Sequence, residues 1–91
     1  MPQAAQNIPS GHPPGDATRI RSSVELGAAV REQRKRLALK QLDIAGLGGT
    51  GNRFIVDLEN GKPTVQLQKV LDIMDLLGLE VIVRPKAARV P

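Results

Sequence analysis

The chain has 91 residues, no cysteine and a single histidine, and its thirteen Lys and Arg against nine Asp and Glu leave a formal net charge of +4. Disulfide cross-links and thiolate metal sites are thereby excluded, while a sequence pI near 10.1 suits a polyanionic partner. No apolar run approaches bilayer-spanning length and the N-terminus lacks the charged start and apolar stretch of a signal peptide, so a cytosolic protein without a membrane partner is expected.

Residues 1–17 (MPQAAQNIPSGHPPGDA) are too rich in Pro, Gly, Gln and Asn to join a core and are predicted to form a disordered tail. Residues 18–85 are the single expected domain, followed by a loose tail over 86–91. A core this small retains little free energy once chain entropy is subtracted, so a partner chain is the expected support.

Residues 18–21 (TRIR) suit a short strand or a linker. The first helix begins at Ser22 or Ser23, either of which can cap the following N–H groups, with Glu25 complementing the positive helix start. Leu26, Ala29, Val30, Gln33 and Leu37 fall on one face at helical spacing. Arg31, Arg34, Lys35, Arg36 and Lys40 lie within ten residues, opposed there only by Glu32. Such a cluster is either an ordinary solvated face or a phosphate-binding one.

A second helix is predicted from about Lys40 to Gly46 or Leu47, burying Ile44 and Ala45 with help from Leu42. Gly48-Gly49-Thr50-Gly51 then permits a turn with positive backbone angles, and a third helix runs from about Asn52 to Glu59 until Asn60-Gly61 stops it. Thr64 is the expected cap of a fourth helix, whose Leu67, Val70, Leu71, Met74 and Leu77 form an apolar stripe ended by Gly78.

Residues 79–84 (LEVIVR) are β-prone and are stopped by Pro85. One strand cannot satisfy its own backbone. Glu80, Val81, Ile82 and Val83 must therefore pair with residues 18–21, with the same strand of a second subunit, or with another protein. The expected architecture is all-α, with four or five helices and one short C-terminal strand.

Gly46-Leu47-Gly48-Gly49-Thr50-Gly51 formally matches G-x-G-x-x-G, and Asp72 lies about twenty positions onward. A dinucleotide site also needs a parallel sheet, for which too little chain remains. No Gly-Lys-Ser/Thr follows the glycines, so a P-loop lacks its lysine. The acidic pairs Asp57/Glu59 and Asp72/Asp75 read as solvated helix edges or turns, and His12 lies alone in the tail. No catalytic residue, metal site or cofactor is expected, and the chain is not read as an enzyme.

Groove reading uses what the chain has. In a helix-turn-helix the first residues of the second helix face base edges, here Asn52 and Arg53 with Val56 one turn further on. Arg suits the paired acceptors of guanine, Asn the donor and acceptor of adenine, and Val a thymine methyl. Ile55 and Leu58 belong to the core. Phe54 either packs inward or touches a sugar or methyl group, and packing is favoured. Arg31, Arg34, Lys35, Lys40 and Lys62 are the candidate phosphate contacts.

From Gln41 to Gly61 the chain resembles, without a gap, the helix-turn-helix of the XRE or Cro/CI-like repressors, whose usual form is L-T-Q-x-x-L-A…G…I-x-x-L-E-x-G. Gln41, Ile44, Ala45, Gly49, Ile55, Leu58, Glu59 and Gly61 fill those places. With its fourth helix and EVIV strand, it is most similar to the HipB-type antitoxins encoded beside HipA-type kinase toxins. The resemblance implies a bacterial, nucleoid-associated homodimer that represses from an inverted-repeat operator on double-stranded DNA. It further implies that Gln41 sits near a phosphate or base, that Asn52, Arg53 and Val56 read bases, and that a HipA-type toxin is the partner of an autoregulating antitoxin. A repressor without a toxin is the alternative. Lys40 departs from the pattern by replacing the usual capping Thr, and Gly46, Gly48 and Gly51 are more glycines than the family carries.

Overall fold

Four helices run through residues 17–86, the part of the chain that the computed structural model describes: α1 (Ser23–Arg36), α2 (Gln41–Gly48), α3 (Asn52–Glu59) and α4 (Leu67–Leu76). The expected tails lie outside the described residues except for Ala17 and Lys86.

Each helix start has its own chemistry. The Ser22 hydroxyl accepts the Glu25 N–H at 3.1 Å, and the Glu25 carboxylate reaches back to the Arg21 N–H. Lys40 precedes α2 without an acceptor of its own, and the Asp43 carboxylate instead accepts the Lys40 N–H at 2.8 Å. At α4 the expected Thr64 cap is displaced: the helix begins at Leu67, after Gln66, because Pro63 and Thr64 form a turn that tucks Val65 against the core.

The four ends, by contrast, share one device. After α1, the Ala38 and Leu39 N–H groups bond the Lys35 and Arg34 carbonyls; after α4, Gly78 and Leu79 bond Asp75 and Met74. The ends of α2 (Gly49, Thr50) and α3 (Gly61, Lys62) repeat the pattern. This is the Schellman arrangement, which requires a left-handed residue just past the helix. Glycine fills that place at 49, 61 and 78, with φ of 66°, 83° and 77°, whereas Ala38 adopts φ 59°.

The helices enclose one core of Val30, Ile44, Ala45, Ile55, Leu58, Val70, Ile73, Met74 and Leu77, with α3 against α1 and α2, and α2 against α4. Gln33 donates from Nε2 to the Leu77 carbonyl at 2.9 Å, tying α1 to the end of α4. Where α1 crosses the end of α3, a Cβ on Gly27 would stand 2.3 Å from the Leu58 carbonyl oxygen. Only glycine permits that approach.

Several expected burials shift by one helix face. Leu42 is 68% exposed and Leu37 caps α1 in contact with solvent, so neither supports the core as expected. On α4 the buried row is Val70, Ile73, Met74 and Leu77, while Leu67 and Leu71 face outward. Residues 79–84 form no ladder with residues 18–21, and Val81, Ile82 and Val83 are exposed.

Candidate nucleic-acid interface

The α2-turn-α3 unit is held rigid from behind. Arg34, four residues after fully buried Val30, points into the interior of the domain and is only 8% exposed. Its Nε donates to Glu59 Oε2 at 2.6 Å and its Nη2 to Glu59 Oε1 at 3.0 Å, while Nη1 donates to the Leu39 carbonyl at 2.7 Å. This fork joins α1, the α1–α2 connection and the last turn of α3. Hydrogen bonding to Glu59 raises the Arg34 pKa above the ordinary arginine value, opposed by burial and aided by the Glu59 charge, so the guanidinium stays ionised.

Arg34 and Glu59 depart from the roles their sequence positions suggest. Arg34 is no phosphate contact, since its donors are committed inside the domain, and Glu59 is a buried ion-pair partner rather than a solvated helix edge. The signal was present in the chain. Arg34 falls at i+8 and i+4 from Leu26 and Val30, and a charge on an apolar stripe calls for a buried partner.

Gln41 joins this network from the first turn of α2, with its Nε2 donating to Glu59 Oε1 at 3.1 Å. The amide is therefore held in place at the front edge of the unit, half-buried. Gly49 reverses the chain after α2, and extended Gly51 launches α3 without a side-chain cap. The first N–H groups of α3 thus carry no side-chain acceptor, and Asn52 and Arg53 stand exposed beside them.

Behind that edge, Ile55 and Leu58 are buried and Phe54 packs against the core, with Lys69 Nζ 5.7 Å from its ring centroid. Val56 is half-buried, one turn along from Asn52 and Arg53. Asp57 accepts an ion pair from Arg53 Nε at 3.2 Å and another from Lys62 Nζ at 3.5 Å. Lys40 is exposed at the head of α2, and Arg31 and Lys35 are exposed on α1. The Gly46–Gly51 glycines belong to a helix end and a turn between helices, and no parallel sheet surrounds them among the described residues.

The arrangement offers an exposed helix start with hydrogen-bonding side chains and flanking cations. No recess bearing grouped His, Cys, Asp or Glu able to hold a metal occurs among the described residues, and no helix there is long and apolar enough to cross a membrane.

No family model matches the chain. The Uncharacterized HTH-type transcriptional regulator y4mF of Sinorhizobium fredii is 49% identical to it over 65 residues, covering 71% of this chain and 86% of the relative. Among solved structures, a HipB–O4 20mer complex matches with a TM-score of 0.70 at 22% identity, over 76% of this chain and 97% of that one. A HipA–HipB–O2–O3 complex matches equally, with a TM-score of 0.70, 22% identity and the same shares of the two chains. The fold is thus that of HipB, and the chain belongs to the helix-turn-helix transcriptional regulators.

Proposed function

We propose that this chain represses transcription as a homodimer on an inverted repeat of double-stranded DNA, and that it is the antitoxin of a type II toxin–antitoxin pair whose operon it regulates. One observation carries the DNA-binding reading. Asn52 and Arg53 stand exposed on the first turn of α3, at the front of a unit whose rear is locked by Arg34 and Glu59. Helix-turn-helix proteins use that position to reach base edges in the major groove.

Gln41, Asn52, Arg53 and Val56 are the base-reading set, and Arg31, Lys35, Lys40 and Lys62 the phosphate set. Each cation that neutralises a phosphate releases a condensed counterion, so affinity falls steeply with salt. Dimerisation is supported by the apolar, exposed residues Val81, Ile82 and Val83, which together with Glu80 have no strand partner within the described chain. Pairing of two such segments as strands would give both backbones their hydrogen bonds. A HipA-type kinase is the proposed toxin, supported by the likeness to the HipA–HipB–O2–O3 complex.

The test combines mass and retention. Light scattering should give twice the chain mass, and the full chain should shift DNA from upstream of its own gene but not an unrelated duplex. A kinase-like protein encoded beside it should co-elute. Retained DNA binding without co-elution would leave a repressor acting without a toxin, and absence of any sequence-dependent shift would sink the proposal.

A further inference from the structure

Asp57 forms ion pairs with both Arg53 and Lys62, and nothing in the packing of the core requires a carboxylate there. We propose that Asp57 is a positioning residue that aims the Arg53 guanidinium at guanine and keeps it from settling on a phosphate. The inference rests on the base-reading role of Arg53 put forward above.

The geometry supplies the reason. Arg53 has an 85% exposed side chain, so on its own it would sample many rotamers, whereas Asp57 shows only 21% of its side chain. The half-buried carboxylate has less room to move than the guanidinium. It takes the Nε edge of Arg53 at 3.2 Å. With the Nε edge turned toward the carboxylate, the N–H groups on Nη1 and Nη2 stay available, and their outward pair matches the O6 and N7 acceptors of guanine.

The same carboxylate repels phosphate, so an Arg53 held beside it loses part of its attraction for the DNA backbone. Lys62 occupies the second carboxylate oxygen at 3.5 Å, which leaves the trio with one net positive charge. Sequence discrimination is thereby raised at some cost in non-specific affinity. A residue that only stabilised α3 would change both affinities together.

The experiment uses the full chain and a pool of duplexes with a randomised central segment, selected by wild type, Asp57→Asn, Asp57→Glu and Arg53→Ala. Wild type should enrich a half-site with a guanine that Arg53→Ala no longer selects. Asp57→Asn should lower the guanine preference by about two- to five-fold, the range of a single exposed ion pair, and leave binding to an unselected duplex equal or tighter. Asp57→Glu should recover part of the preference. In Arg53→Ala, adding Asp57→Asn should change the preference no further.

An unchanged guanine preference in Asp57→Asn overturns the positioning role while the base-reading role of Arg53 stands. If wild type enriches no Arg53-dependent base, the base-reading role itself fails. Should Asp57→Asn not fold, the Arg53 Nε–H signal in the NMR spectrum of wild type decides. Slow solvent exchange supports an Arg53 held by Asp57, and exchange as fast as a free arginine side chain refutes it.

Discussion

Glu59 receives two hydrogen bonds from Arg34 and one from Gln41, so a single buried carboxylate joins the interior face of α1, the start of α2 and the end of α3. Through it the exposed face of the helix-turn-helix inherits the rigidity of the core. Removing one partner leaves the other charge buried and uncompensated. Arg34→Ala should therefore lower stability by about 3–5 kcal/mol, while Arg34→Met with Glu59→Leu should lose far less. Denaturant unfolding measures both. Because the Arg34 pKa is raised, its contribution is complete below the unfolded arginine value and is lost only as pH rises through the still higher folded value, so it is constant across the neutral range.

Gly27→Ala should be among the most damaging single-methyl additions in the chain. The new Cβ would meet the Leu58 and Glu59 carbonyl oxygens at 2.3 and 2.8 Å, and these are backbone atoms that cannot rotate away. Separation of α1 from α3 should cost about 1–3 kcal/mol, read as a lower thermal midpoint.

At Ala38 the opposite change should help. This residue holds φ 59° in a place that glycine fills after the other three helices. Relief of left-handed strain outweighs the entropy that glycine adds to the unfolded chain, so Ala38→Gly should stabilise by about 0.5–1 kcal/mol. Gly78→Ala, at φ 77°, should destabilise by about 1 kcal/mol.

The two faces of α4 should separate cleanly under alanine substitution. Ile73 is 2% exposed, and Ile73→Ala should cost about 2–5 kcal/mol. Leu67 is 69% exposed, and Leu67→Ala should stay within about 0.5 kcal/mol in the isolated domain. A large loss at Leu67 would place that leucine in an interface.

Helix order and the α3 bounds were legible because Gly49, Gly61 and Gly78 mark chain reversals that few other residues make easily, and because Ile55 with Leu58, and Val70 with Met74 and Leu77, keep helical spacing. Which side of a broad apolar face turns inward was not. Leu67, Leu71 and Ile73 are all large and apolar, and only the position of α2 against α4, so close that a Cβ on Gly48 would stand 2.7 Å from Ile73 Cδ1, selects among them. For the charged residues, spacing along α1 places Arg34 with the apolar row, but its partner Glu59 lies 25 positions away and is found only by folding. Asp57 likewise looks like a solvated edge until Arg53 and Lys62 are seen to converge on it.

Footprinting of the full chain on DNA upstream of its own gene, with Arg53→Ala alongside, asks whether the first turn of α3 reads base pairs. The expected result is a protected inverted repeat with half-site centres about 34 Å apart, weakened selectively by Arg53→Ala while the mass in solution is unchanged. Uniform protection, or an inverted repeat that Arg53→Ala protects as well as wild type, would mean that the first turn of α3 does not read bases through Arg53.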